Sequence, residues 1–255
     1  MPPFSRVRSA LRYLAHADPF YKWRVHRASC PNCKGNFFLS LRADPFMTRC
    51  LSCLANATNL SLIPVIQQHS EHCRVETAWE MSTYGATLAY LKRQVPRVYE
   101  SEFFPGIEPG HQVNGILNQD VQNTSFADDT LDLITSNQVF EHVEDDVKGF
   151  RECHRILKPG GALICSLPLY DLPATQQLAR ISHGKIEHLA PPEYHDSRRG
   201  GPGSALCFWR HSFHDIIARV ASVGFSAKLI DVRLPATSPE PTLVVYARKP
   251  VVSSP

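Results

Sequence analysis

Four cysteines near the start of the chain have the spacing of metal ligands. Cys30 and Cys33 form one Cys-x-x-Cys pair, and Cys50 and Cys53 form a second pair after sixteen intervening residues. Four thiolates at this spacing can surround one tetrahedral Zn²⁺ ion, and a site closed by four protein ligands is structural rather than catalytic. Iron or a redox-active dithiol pair would use the same residues. We predict a structural zinc site in a module over residues 30–73, which includes a connecting helix.

The other cysteines are isolated and lie in apolar contexts, where free cysteine usually packs as a small core residue. They are Cys73, Cys153, Cys165 and Cys207. No apolar run reaches the roughly 18 residues that a membrane span requires, and the N-terminal residues contain no signal-like apolar block. We therefore expect no membrane span and a cytoplasmic location.

From about residue 74 onward, the sequence alternates between strand and helix patterns. This alternation predicts an α/β fold with a parallel sheet covered on both faces. The strand candidates are 76–81, 97–101, 113–118, 131–136, 161–167, 226–233 and 242–248, and the helix candidates are 84–94, 144–157 and 211–223. Because only residues 234–241 separate the last two strands, these strands are expected to pair as an antiparallel hairpin.

The stretch 126–169 resembles the central region of class I S-adenosylmethionine-dependent methyltransferases. Its matching features are Asp132 at the start of a strand, Glu141-His142 in the following turn, and Lys158-Pro159-Gly160-Gly161 after a helix. The resemblance covers roughly residues 74–250. It implies a seven-stranded Rossmann-like methyltransferase sheet that binds S-adenosylmethionine across the carboxyl ends of its strands, where open α/β sheets generally bind ligands.

Acidic residues at strand ends are the expected cofactor contacts. Glu102 follows the second strand about 20 residues beyond the first turn, where a carboxylate can accept hydrogen bonds from a ribose. By the resemblance, Glu80 lies near the amino group of the methionine moiety, and Asp120 contacts the adenine amino group while Val121 packs on the ring. Asn137, at the end of the fourth strand, is a further predicted cofactor contact.

The first turn of the domain differs from the glycine-rich turn of most relatives. Here it is Glu80-Met81-Ser82-Thr83-Tyr84-Gly85, in which only Gly85 remains. Ser82 is predicted both as a cofactor contact and as the N-cap of helix 84–94. We interpret this turn as a variant of the motif.

A long segment between the fifth strand and the next helix, residues 168–210, is predicted to cover the substrate. Methyl transfer to a hydroxyl group requires a base, and histidine titrates near neutral pH. The candidates for this role are His142 in the turn after the fourth strand, and His188, Tyr194 and His195 from the long segment. The alternative for His142 is that it starts the next helix, and the alternative for the histidines of the long segment is a structural hydrogen bond.

The net charge of +3 is unevenly distributed, since nine of the Lys and Arg residues lie within 1–49 beside two Asp residues.

Three functions remain open. The first is methylation of an oxygen or nitrogen of a polar small molecule or saccharide. The second is RNA methylation, with the basic N-terminal arm (1–29) and the zinc module on the phosphate backbone, although the arm lacks interleaved aromatic residues and the rest of the chain is acidic. The third is a catalytically silent scaffold. The sequence leaves the oligomeric state open.

Overall fold

The computed structural model of the chain describes residues 22–197, 200–236 and 240–251. Residues 1–21, most of the predicted basic arm, lie outside the described part. Among the helices that are described, none is long and apolar enough to cross a membrane.

The N-terminal module is a small antiparallel sheet followed by two helices. Its elements are β1 (Arg24–Arg27), β2 (Phe37–Ser40), β3 (Thr48–Cys50), α1 (Ala57–Leu60) and α2 (Leu62–Ser70). The sheet order is β1-β2-β3, and its register pairs Val25 with Leu39. The module therefore begins before residue 30, because the end of the predicted arm supplies its first strand. Phe38 and Leu60 are buried at its centre with the two innermost cysteines, Cys30 and Cys50.

The central domain begins with the strands that line the site. In chain order they are β4 (Thr77–Glu80), α3 (Ala86–Gln94), β5 (Arg97–Glu102), β6 (Gln112–Val113), β7 (Ile116–Asn118), β8 (Leu131–Asn137), α4 (Asp146–Ile156) and β9 (Leu157–Ser166). The predicted third strand, 113–118, is divided into the hairpin β6–β7. Asn114 and Gly115 form its two-residue turn with φ values of 53° and 78°, the conformation that an Asn-Gly pair favours.

The segment 168–210 folds into strands. They are β10 (Leu169–Tyr170), β11 (Gln176–Gln177), β12 (Ala179–Ser182), β13 (Lys185–His188), β14 (Tyr194–Ser197), β15 (Gly201–Leu206) and β16 (Trp209–Ser212). They form the sheet β10-β16-β11 and two hairpins, β12-β13 and β14-β15. We call this segment the insertion. The helix predicted from residue 211 begins only at Ile216, because β16 continues to Ser212 and pairs with β10.

The chain ends with α5 (Ile216–Ala221), β17 (Ser226–Val232) and β18 (Thr242–Arg248). The last two strands pair antiparallel, as predicted, and the complete sheet has the order β17-β18-β9-β8-β4-β5-β7-β6. Strands β4, β5, β7, β8 and β9 are parallel. This confirms the predicted α/β fold, a seven-stranded Rossmann-like methyltransferase sheet, here extended by β6.

Both faces of the sheet are buried, and apolar side chains of its central strands point to both sides. Trp79, Ile134 and Leu163 belong to the core on one face, while Ala78 and Leu133 belong to the core on the other. Alternate residues of β4 and β8 therefore face opposite layers of helices.

Asp132 joins the start of β8 to two neighbouring elements. Its carboxylate accepts hydrogen bonds from the backbone N–H groups of Glu76 and Thr77 at 3.0 and 2.8 Å, and from Lys158 Nζ at 2.8 Å. Lys158 belongs to the predicted Lys-Pro-Gly-Gly turn. That turn lies inside β9 rather than before it, since α4 already ends at Ile156 and the register shifts between Leu131 and Leu133.

We expect Asp132→Ala to lower the free energy of unfolding by about 1–3 kcal/mol, since it leaves partly buried donors without an acceptor. Asp231→Ala, which removes an exposed carboxylate from β17, is the control and should change stability by less than about 0.5 kcal/mol. Urea denaturation followed by circular dichroism measures both variants. Equal stabilities would contradict this role for Asp132.

Candidate functional site

A cleft of about 980 Å³ lies at the carboxyl ends of β4 and β8. At this point the chain order reverses, since β5 and β7 follow on one side of β4 while β8 and β9 lie on the other. The module, the first turn, the end of β8, and the insertion all contribute to its walls. Residues from these four parts include Phe46, Asn56, Asn59, Glu80, Ser82, Gly85, Asn137, His142, Tyr194 and His195.

Glu80 places a buried carboxyl group in the cleft wall. Only 1% of the residue is exposed, and its oxygens accept hydrogen bonds from Ser82 Oγ at 2.8 Å and from Thr135 Oγ1. Burial raises the pKa of Glu80 to about 7, although both hydrogen bonds oppose the shift. The group can therefore be neutral or charged near physiological pH.

The first turn leaves an open space beside the backbone. Gly85 has a φ of 107°, and no atom lies within 4 Å of the position that a Cβ would occupy. Helix α3 begins at Ala86 with Gly85 as its N-cap, so the predicted N-cap role of Ser82 is wrong. Ser82 Oγ instead lies 2.8 Å from Glu80 Oε1 and 3.0 Å from the carbonyl oxygen of Tyr84.

The predicted cofactor contacts divide into two groups. Glu80, Ser82, Gly85 and Asn137 line the cleft. The other group makes internal contacts, and its members are Glu102, Asp120 and Val121.

Glu102 supports the first turn. Its Oε1 accepts hydrogen bonds from the backbone N–H of Thr83 at 3.1 Å and from Thr83 Oγ1 at 2.7 Å. Asp120 Oδ1 accepts a hydrogen bond from the backbone N–H of Gln122 at 2.9 Å, and Val121 is buried in the core beside Gly149. The carboxylate of Glu102 therefore acts on the cleft by positioning the turn.

The N-terminal module is directly connected to the central strands at the cleft. Thr87 Oγ1 donates a hydrogen bond to the carbonyl oxygen of Asn59 at 3.0 Å, and Asn137 Nδ2 lies 3.2 Å from Thr87 Oγ1. Asn137 Oδ1 also accepts a hydrogen bond from Ser166 Oγ at 2.9 Å. One chain of contacts thus joins the module to α3, β8 and β9.

The four cysteines of the module form a compact cluster. Cys30 Sγ lies 3.8 Å from Cys53 Sγ, and Cys33 Sγ lies 3.6 Å from Cys50 Sγ. A tetrahedral zinc site with Zn–S bonds of about 2.3 Å has sulfur-to-sulfur distances of about 3.8 Å. Each pair also ends in the same tight turn, since Lys34 and Leu54 have φ values of 62° and 61°.

Two of the four predicted catalytic residues lie together, and a third lies nearby. The rings of His142 and His195 contact each other edge to face with centroids 5.1 Å apart. Tyr194 also lines the cleft. His188 is exposed on the β12–β13 hairpin and does not line the cleft.

Cys207 and Glu141 lie beside the two histidines, and neither was among the predicted site residues. Cys207 is buried, as predicted, but its Sγ lies 3.9 Å from His142 Nδ1. Burial raises the pKa of the Cys207 thiol, yet hydrogen bonds with His142 and His195 outweigh it and lower the pKa. Cys207 and then Glu141 raise the pKa of His195 to about 10.

A known sequence family covers the central part of this site. Residues 82–165 match the family model described as Methyltransferase domain. The segment runs from the first turn through β8 and α4 to β9. Sequence similarity therefore covers the first turn and Asn137, while the module and the insertion lie outside it.

Among curated proteins, the chain is similar to the malonyl-[acyl-carrier protein] O-methyltransferase 1 of Coxiella burnetii. The two are 31% identical over 87 residues, which is 32% of this chain and 31% of the relative. The ubiquinone biosynthesis O-methyltransferase of Pseudomonas paraeruginosa is 34% identical over 79 residues, which is 31% of this chain and 34% of the relative. The chain thus spans about a third of the length of these relatives.

Among solved structures, the chain is similar to the 1,6-didemethyltoxoflavin-N1-methyltransferase of Burkholderia thailandensis, solved with 1,6-didemethyltoxoflavin and S-adenosylhomocysteine. The TM-score is 0.49 at 16% sequence identity, and the match covers 74% of this chain and 78% of that protein.

The raised pKa of Glu80 predicts a pH-dependent stability. The stabilisation from the neutral carboxyl group is fully present below its ordinary pKa of 4.5 and is lost as pH rises through about 7. Glu80→Gln cannot ionise, so we expect the variant to gain stability over the parent by on the order of 2 kcal/mol between pH 5 and pH 8. Urea denaturation at the two pH values measures this difference. Glu108→Gln, which changes an exposed carboxylate, is the control. A stability difference between the parent and Glu80→Gln that does not depend on pH would disprove the raised pKa of Glu80.

Proposed function

We propose that this protein is an S-adenosylmethionine-dependent methyltransferase that acts on an oxygen or nitrogen of a polar small molecule or saccharide. The observation that carries the proposal is the position of the cleft. It lies at the reversal of strand order in a methyltransferase-type sheet, and its wall residues Ser82, Gly85 and Asn137 belong to the segment that matches the methyltransferase domain family.

The chain offers suitable groups for each end of the cofactor. The Glu80 carboxylate would hold the ammonium group, and the open backbone from Ser82 to Gly85 would lie against the ligand. Glu102, placed beside the turn by Thr83, is the proposed ribose contact, and Asp120 and Val121 are the proposed adenine contacts. S-adenosylmethionine, when bound, supplies an electrophilic methyl group on a sulfonium. The protein contributes binding, orientation and proton transfer.

The acceptor is proposed to bind under the insertion, where His142, Tyr194 and His195 line the cleft. A histidine there can remove the proton from an acceptor hydroxyl or amine as the oxygen or nitrogen attacks the methyl group. Polar side chains of the module, Asn56 and Asn59, line the same cleft and can donate hydrogen bonds to a hydroxylated ligand.

The module's contribution to this cleft favours a small acceptor over RNA. The RNA hypothesis requires the module and the basic arm to contact a phosphate backbone. The module instead packs against α3 through Ala86, and Asn59 is held by Thr87. The silent-scaffold hypothesis rests on the altered first turn, and the open space beside Gly85 favours a ligand there instead.

Calorimetry with S-adenosylmethionine at pH 8 tests the cofactor proposal. Glu80→Gln should weaken binding by about 1.5–3 kcal/mol, the typical contribution of a hydrogen bond to a charged group. The same variant should be more stable than the parent at this pH, so weaker binding would not reflect unfolding. Glu187→Gln, which changes an exposed hairpin residue, should bind like the parent. No binding by the folded parent would support the scaffold instead.

The four-cysteine cluster is proposed to hold one structural Zn²⁺ ion. Its sulfur-to-sulfur distances match the tetrahedral geometry, and the module is too small to bury an extensive core. Since the module also supplies one wall of the cleft, the ion would stabilise part of the acceptor site.

Cys50→Ser should remove one zinc ion per chain and destabilise the module, because metal-binding energy is also folding energy. Zinc content by elemental analysis and thermal unfolding measure the two effects. Cys73→Ser, which changes a cysteine outside the cluster, should retain the metal. Unchanged zinc content in Cys50→Ser would reject this site.

A further inference from the structure

A second group of metal-binding side chains lies where the insertion meets the central domain. The ligand atoms of His142, His195 and Cys207 all lie within 4.8 Å of one another. His142 belongs to the turn after β8, His195 to β14, and Cys207 to the short connection between β15 and β16. The fold thus brings together three donors that are far apart in sequence.

Glu141 provides an independent indication that a cation belongs at this position. The residue is 1% exposed, and neither carboxylate oxygen has a hydrogen-bond partner among the residues that the structure describes. Its Oε1 lies 3.7 Å from His142 Nε2 and 3.6 Å from His195 Nδ1. A buried carboxylate is strongly destabilising unless a positive charge compensates it.

One ring nitrogen of each histidine contacts a group outside the cluster. His142 Nδ1 lies 2.8 Å from the carbonyl oxygen of Leu206, and His195 Nε2 lies 3.2 Å from Glu193 Oε1. Metal-binding histidines typically donate their second N–H to a carbonyl or carboxylate, which fixes the ring orientation. The nitrogens that remain, His142 Nε2 and His195 Nδ1, are the two nearest to Glu141 Oε1 in these ion-pair contacts.

The distances are close to those of a zinc site. Tetrahedral Zn²⁺ with bonds of about 2.0–2.3 Å has ligand-to-ligand distances of about 3.3–3.8 Å. The three ligand atoms of His142, His195 and Cys207 lie within 4.8 Å of one another, somewhat wider than this range, and Cys207 Sγ lies 3.9 Å from His142 Nδ1. A thiolate ligand and the Glu141 carboxylate beside the site would together neutralise a divalent ion, and nitrogen and sulfur ligands suit zinc.

We propose that His142, His195 and Cys207 form a second zinc site in the wall of the cleft, with the buried Glu141 carboxylate beside the two histidines as a compensating charge. The site is distinct from the four-cysteine cluster. Both histidines line the cleft, so the ion would lie beside the proposed acceptor position. With zinc bound, neither histidine keeps a free nitrogen to act as a base, so Tyr194 would be left for that role. Metal binding itself does not depend on methyl transfer, so the two proposals can fail separately.

The test measures zinc per chain after equilibrium dialysis of the full-length protein against Zn²⁺. We expect about two ions in the parent and about one in His195→Ala. Glu141→Gln, which keeps the shape of the buried side chain, should weaken binding of this ion by at least tenfold. His188→Ala is the matched control, because it removes an exposed histidine of the same insertion, and it should keep the parent value.

Cys50→Ser distinguishes the two metal sites. It should remove only the ion of the module, and combining it with His195→Ala should remove both. Circular dichroism establishes that each variant is folded, and His195→Gln serves as the second variant if His195→Ala unfolds. Equal zinc content in the parent and the folded His195 variants would overturn the inference and leave a proton-sharing thiol and imidazole cluster.

Discussion

The pairing of Glu80 with Thr135 across the two central parallel strands determines where the site forms. These residues lie opposite each other at the carboxyl ends of β4 and β8, and the Thr135 hydroxyl donates a hydrogen bond to the buried carboxyl group. Crossover connections place the following segments at the same edge of the sheet. The first turn, Asn137, and the turn that carries His142 therefore all leave the sheet beside Glu80.

Two added parts complete the cleft, and each is stabilised by a different interaction. The module packs on α3 and clusters four thiols, whereas β16, which continues the insertion as far as Ser212, is held by a buried ionic network. Asp146 Oδ2 lies 2.8 Å from His211 Nε2, and Arg219 binds both oxygens of the same carboxylate. Burial raises the pKa of Asp146, but the hydrogen bonds from His211 and Arg219 outweigh it and lower the pKa. Ionisation of Asp146 therefore favours the attachment of the insertion.

The sequence predicted what depends on local patterns. Alternating strand and helix signals located the central strands, and the Cys-x-x-Cys pairs indicated a cluster that the structure brings together. The hairpin at 113–118 was missed, although its Asn114-Gly115 turn was a usable signal. Cys207 was correctly expected to be buried, but its contact with His142 joins residues 65 positions apart. No local spacing indicates such a contact. For the same reason, the sequence could not distinguish His188, which is exposed on a hairpin, from His195, which lines the cleft.

The division between the matched segment and the two added parts has an evolutionary consequence. Ser82, Gly85 and Asn137 lie within residues 82–165, whereas Asn59, Tyr194 and His195 lie outside this range. The part of the gene that encodes the matched edge of the cleft is thus separate from the two parts that encode its outer walls. Recombination or insertion in either outer part can therefore change what the cleft contacts while the matched edge stays the same.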